Sequence, residues 1–124
     1  KGNFKDGKKK GAWVIYYDSG QLKYKGKYKN GRQEGAWVIY HENGRLWFKG
    51  KKKNDRQEGA WVSYYDNGQL NGKGDYKSGL KEGPWVYYHE NGQLRREGKY
   101  RRGHHFGVWK FYRNDGSLES LNNY

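Results

Sequence analysis

The sequence predicts an all-β fold: an elongated antiparallel meander of stacked β-hairpins, about ten strands in a single sheet. Three observations predict it. First, a 24-residue period runs through the chain without a slip, carried by Trp13, Trp37, Trp61, Trp85 and Trp109 and by Leu22, Leu46, Leu70, Leu94 and Leu118. Second, the runs after each period mark are β-branched and aromatic, which suits strands. Third, glycine-containing turn signals separate the runs. A chain so built is an array in which each unit packs on its neighbours.

The chain reads as one domain, residues 1–124, divided in phase. Residues 1–10 are a half unit with a turn at Asp6-Gly7. Four full units follow at 11–34, 35–58, 59–82 and 83–106. In the first, Ala12–Tyr17 is a strand and Asp18-Ser19-Gly20 a turn, which recurs as Glu42-Asn43-Gly44, Asp66-Asn67-Gly68 and Glu90-Asn91-Gly92. Asn-Gly is a hairpin signal because both residues tolerate positive φ. The next run alternates, with Leu22, Tyr24, Gly26 and Tyr28 facing one way and Lys23, Lys25 and Lys27 the other. Asn30-Gly31 makes the second turn, repeated as Ser78-Gly79 and Arg102-Gly103. Gly26 and its copies admit two readings: room for a ring from the next strand, or a bulge. Residues 107–124 have lower charge and altered glycines and read as a terminal cap.

Composition agrees with an unusual core. Hydrophobic residues are 32% and aromatics 19%, so rings rather than aliphatic side chains must supply the packing. The absence of cysteine excludes disulfides, thiolate zinc sites and thiol nucleophiles, and leaves the compartment open, cytoplasm or cell surface. No stretch approaches the roughly 20 apolar residues of a membrane-spanning helix. No signal-peptide pattern is visible in a chain that begins at Lys1 in mid-unit, which makes the N-terminus uninformative.

The motif spelled by Gly83-Pro84-Trp85, Tyr88, Asn91-Gly92, Leu94, Gly98, Tyr100, Gly103 and Gly107 resembles the variant MORN repeats. The resemblance covers nearly the whole chain. It implies an elongated sheet of hairpins serving as a scaffold or binding module, and some bacterial members are antitoxin-like. Departures stand out: Lys52 in the tyrosine column, Asp55 for the turn glycine, Gly72 at the position of Tyr24 and Phe48, and His104-His105-Phe106 for Arg-Gln-Glu.

The formal net charge is +13, and its placement is uneven. Turns after the Trp strands carry Asp18, Glu42, Asp66, Glu90 and Asp115. The opposite turns carry the candidate binding residues Lys5, Lys8, Lys29, Arg32, Lys53, Arg56, Lys77, Lys81, Arg101 and Arg102. In an antiparallel meander these sets fall on opposite long sides, giving an acidic rim and a stronger basic rim. The basic rim suits a protein partner or an anionic surface or polyanion. Solubility alone is the competing explanation.

A ladder of structural aromatics is expected from Trp13, Tyr16, Trp37, Tyr40, Trp61, Tyr64, Trp85, Tyr88, Trp109 and Tyr112. No catalysis, cofactor, metal site or small-molecule substrate is expected. Equivalent acids lie a unit apart, roughly 10 Å, too far for a retaining carboxylate pair. His41 and His89 are two units apart, and His104-His105 point to opposite faces of a strand. Rings beside a basic groove also suit sugars or unpaired bases, although no nucleic-acid motif is present. Two other classes stand beside the binding module: an antitoxin or immunity protein, and a structural protein self-associating through edge strands.

Overall fold

The computed structural model describes residues 2–124. Eleven strands form one antiparallel sheet in strict chain order. They are β1 (Asn3–Lys5), β2 (Lys8–Tyr16), β3 (Leu22–Lys29), β4 (Arg32–Tyr40), β5 (Leu46–Lys53) and β6 (Arg56–Tyr64), followed by β7 (Leu70–Lys77), β8 (Leu80–Tyr88), β9 (Leu94–Arg101), β10 (His104–Tyr112) and β11 (Leu118–Asn123). The expected meander is therefore present, with the half unit supplying β1.

With a single sheet there is no second layer to bury a core, so the burial is created within one face. Five tryptophans and Tyr100 are its buried hydrophobic residues, with Trp37 2% and Trp109 0% exposed. Each indole lies over a glycine of the preceding strand, where a Cβ would overlap the ring: Trp37 on Gly26, Trp61 on Gly50, Trp85 on Gly74 and Trp109 on Gly98. The indole Nε1 then donates to a carbonyl of that same strand, as in Trp61 to Lys51 (3.0 Å), Trp85 to Asp75 (2.9 Å) and Trp109 to Lys99 (2.9 Å). Both readings of Gly26 are realised, because it also faces a bulge. Lys25 pairs with Val38 and Lys27 with Glu34, so Gly35, Ala36 and Trp37 stand against one glycine. Gly35 takes φ +73°, the left-handed conformation such a bulge needs.

The two turn types differ from each other. Asp6-Gly7, Asn30-Gly31, Asn54-Asp55, Ser78-Gly79 and Arg102-Gly103 have positive φ at both residues, as two-residue hairpins require. The Asn43-Gly44 type does not: only the glycine has positive φ, at +89°. There the loop is longer, closed by Gly44 N–H to His41 O (2.9 Å) and His41 N–H to Arg45 O (2.8 Å). The asparagine acts through its side chain instead, accepting from Arg45 N–H at 2.9 Å and donating to Asp66 O at 2.7 Å.

The ladder also needs correction. The tryptophans alternate with the Tyr28 column, not with Tyr16, Tyr40, Tyr64, Tyr88 and Tyr112. Rings meet edge to face at Phe4–Trp13 (5.2 Å, 89°), Tyr28–Trp37 (5.4 Å, 86°), Tyr76–Trp85 (5.2 Å, 89°) and Tyr100–Trp109 (4.9 Å, 74°). The reason is strand geometry: residues three apart, such as Trp13 and Tyr16, point to opposite faces. Tyr112 accordingly lies on the far face, donating its hydroxyl to Glu97. Lys52 interrupts the ladder, its ammonium 5.8 Å from the Trp61 ring centre, where desolvation lowers its pKa.

Candidate functional site

The two-residue turns line one long edge, and the residues flanking them are the ones the sequence marks as basic. Register places like charges directly opposite at three successive hairpin ends: Lys5 against Lys8, Lys29 against Arg32, and Lys53 against Arg56. At the next two ends the pairs are Lys77 with Leu80 and Arg101 with His104. Such like-charge pairs are unfavourable in isolation. Glutamates relieve part of this by binding the turns rather than the cations. Glu58 Oε1 accepts from Ser78 N–H (2.9 Å), Glu82 Oε1 from Arg102 N–H (2.9 Å) and Glu34 Oε1 from Asn54 N–H (3.4 Å). Turn amides also tie unit to unit, as in Asp55 N–H to Gln33 O at 3.0 Å. Between hairpin ends lies a hollow bounded by Arg32, Lys53, Arg56 and Lys77, with Asp55 and Glu58. Arg101 differs from these, its guanidinium stacking on Phe106 at 3.8 Å.

Lys81 does not belong to this edge. Its side chain lies on the aromatic face, with the ammonium 4.9–5.2 Å from the centres of Trp85, Tyr87 and Tyr100 and 2.7 Å from the Tyr87 hydroxyl, to which it donates. Lys9 occupies the same phase over Trp13 and Tyr28, each at 4.9 Å. His105 stacks on Trp109 at 4.3 Å in that phase too. Desolvation, then Arg96 and Lys81, holds the His105 pKa below its ordinary value. The signal available in the sequence was the 24-residue column Lys9, Gln33, Gln57, Lys81, His105, which a turn-based assignment of charge passes over. Tyr87 and Tyr100 hydroxyls lie 3.2 Å apart. Burial foremost, then this hydrogen bond, raises the Tyr100 pKa to about 12.

The opposite face carries a groove that sequence reasoning also missed. Ala36, Ala60 and Pro84 with Val38, Val62 and Val86 form an apolar floor beside Lys49, Lys51 and Lys73, enclosing about 660 Å³. The other long edge is mixed in charge, because Arg45, Arg95 and Arg113 stand near the turn acids. His41 and His89 serve as ties there, each with Nε2 at 2.8–2.9 Å from the next unit's Tyr64 or Tyr112 carbonyl. A carbonyl only accepts, so Nε2 carries the proton. Among the described residues no three His, Cys, Asp or Glu side chains converge as metal ligands. Among them, too, no helix is long and apolar enough to cross a membrane.

Comparison with known proteins gives three results. A search of curated proteins finds no match. Among solved structures, the crystal structure of a GtfA/B complex bound to UDP and GlcNAc aligns at 15% identity and a TM-score of 0.32, over 89% of this chain and 22% of that one. The chain thus spans about a fifth of the length of that structure. The family model described as MORN repeat variant matches residues 9–30, 33–53, 57–78 and 81–102, in register with the hairpins described above. With most of its length matched in four units, the chain belongs to the MORN repeat variant family, whose repeats are non-catalytic modules for binding proteins or membranes.

Proposed function

We propose that this protein is a non-catalytic binding module that engages an anionic partner, an acidic protein face or another polyanion, along its basic edge. One observation carries the reading: like charges face each other at three consecutive hairpin ends, Lys5/Lys8, Lys29/Arg32 and Lys53/Arg56. A surface selected for solubility alone would intersperse signs. Stacking unfavourable pairs in one row costs stability that a bound anion recovers. Successive pairs are two strands apart, about 9.6 Å from the strand spacing, so the edge suits an extended partner with recurring negative charge. The antitoxin and self-association readings have no comparable observation behind them.

The test is binding to heparin, anionic liposomes and single-stranded DNA at low and high salt. The variant carrying Lys29→Gln, Arg32→Gln, Lys53→Gln and Arg56→Gln serves as comparison. Affinity for the preferred anion should fall steeply with salt, and the variant should flatten that dependence. If the ligand is nucleic acid, the log–log slope should drop by about 0.7–0.9 for each phosphate no longer neutralised. Salt-independent binding, or a variant that binds as well as the parent, would refute it. Retrieval of a partner whose binding persists at high salt would favour a packed interface of the antitoxin kind.

A further inference from the structure

The repeat is broken once on the aromatic face, and the break leaves a cleft. Along this face a second row of side chains runs across the strands, beside the tryptophans. It begins Ile15, Tyr24, Ile39, Phe48 and resumes with Tyr87, Arg96 and Phe111. Between Phe48 and Tyr87 the row reads Ser63 and Gly72, paired with each other. Two bulky residues are therefore missing side by side. Tyr87 leans over Gly72, where a Cβ would meet its ring at 2.8 Å, but it does not fill the space. A cleft of about 210 Å³ remains, lined by Phe48, Trp61, Tyr76, Trp85, Ser63 and Lys81, with Gln57 at its margin. This is below the roughly 300–1,000 Å³ of drug-sized sites, and suits one ring.

The chemistry of the walls selects the ring. Tyr76 stands at 77° to Trp61 and at 89° to Trp85, so these three aromatics make a corner rather than a parallel slot. A flat base or aromatic acid gains most between parallel faces. A puckered pyranose instead lays C–H groups against one ring and turns its hydroxyls to the cleft edge, where the Ser63 hydroxyl and Gln57 amide stand. Lys81 supplies charge. Its ammonium is held by the Tyr87 hydroxyl at 2.7 Å and by three ring faces. Among the described residues no carboxylate pairs with it, and Arg96 adds a second cation 4.2 Å above the Tyr87 ring, with its Nε buried and unpartnered.

We propose that this cleft binds a single carboxylated pyranose, a uronate-type sugar, with C–H groups against Trp61 and Trp85 and the carboxylate on Lys81. The site is separate from the basic edge. Either reading can fail alone, since a monosaccharide is too small to bridge hairpin ends.

The chain itself supplies the test substitutions. Ser63→Ile installs the residue found at Ile15 and Ile39, and Lys81→Gln the residue found at Gln33 and Gln57, so both are compatible with the array. The Trp61 and Trp85 indole N–H resonances, each hydrogen-bonded to a neighbouring carbonyl, report folding and ligand together by NMR. Methyl glucuronide should shift both resonances, with methyl glucoside binding about fivefold more weakly, the worth of one partly exposed ion pair. Lys81→Gln should bind both sugars at the glucoside level. Ser63→Ile should bind neither while keeping its indole spectrum dispersed. Absence of shifts with either sugar overturns the site, as does unchanged binding by Ser63→Ile. Equal affinity for the two sugars overturns the acidic class, and tighter binding of benzoate overturns the sugar.

Discussion

At the scale of single residues, glycine has two separable duties here, and substitution distinguishes them. Gly74 has ordinary backbone angles, but the Trp85 ring occupies the place of its side chain. Gly59 has φ +72° and open space around it. Gly59→Ala should cost about 1–2 kcal/mol, the penalty of a left-handed residue. Gly74→Ala should cost more, about 3 kcal/mol, because ring and sheet cannot both keep their positions. Urea titration of the two variants checks the order, and equal costs would mean the indole can move aside. A second expectation concerns alkali. The Tyr100 hydroxyl is held protonated in the fold, its pKa raised from 10.0 to about 12 by burial first and then by Tyr87. An unfolded chain loses that proton near pH 10 and the folded one does not. The stabilisation is therefore complete below pH 10 and lost as pH rises through about 12. Tyr100→Phe should flatten the fall in melting temperature across that window.

At the scale of elements, hairpins are fastened to one another by their ends as well as by strand pairing. Glu58 binds the Ser78 amide at 2.9 Å, while Glu34 reaches Asn54 only at 3.4 Å. Glu58→Ala should destabilise by about 1 kcal/mol and Glu34→Ala by clearly less, since a long, weak hydrogen bond contributes little. Hydrogen exchange at Ser78 and Asn54 would show whether each effect is local to its turn. The elements themselves are legible in the sequence because alternation and turn residues are local properties. Turn type is less so: Asn43-Gly44 and Asn30-Gly31 look alike as dipeptides, yet only the second has two positive φ angles, because strand register sets loop length. The ladder partner is hard to read for a related reason. Tyr16 is near Trp13 in sequence but on the other face, whereas Tyr28, from the paired strand, meets the Trp13 ring at 5.7 Å.

At the scale of the whole molecule, β-strands pair only with chain neighbours, so units should be removable in phase. A chain lacking residues 35–58 should fold into a sheet two strands shorter, about 9.6 Å less in length by strand spacing. Small-angle scattering would measure the shortening, and an unfolded product would mean that stability depends on the array as a whole. The architecture and the basic edge can be read from the period, since every copy repeats them. Lys81 and the cleft at Ser63 and Gly72 cannot, because their meaning lies in what surrounds a departure from the period. The row of indoles also has an optical consequence. Rings held at fixed angles 4.9–6.1 Å apart along Trp61, Tyr76, Trp85, Tyr100 and Trp109 are close enough for their excited states to couple. Exciton bands near 230 nm should therefore overlie the sheet signal in circular dichroism. Taken at face value, that spectrum would underreport strand content, but followed during unfolding it would time the disassembly of the ladder itself.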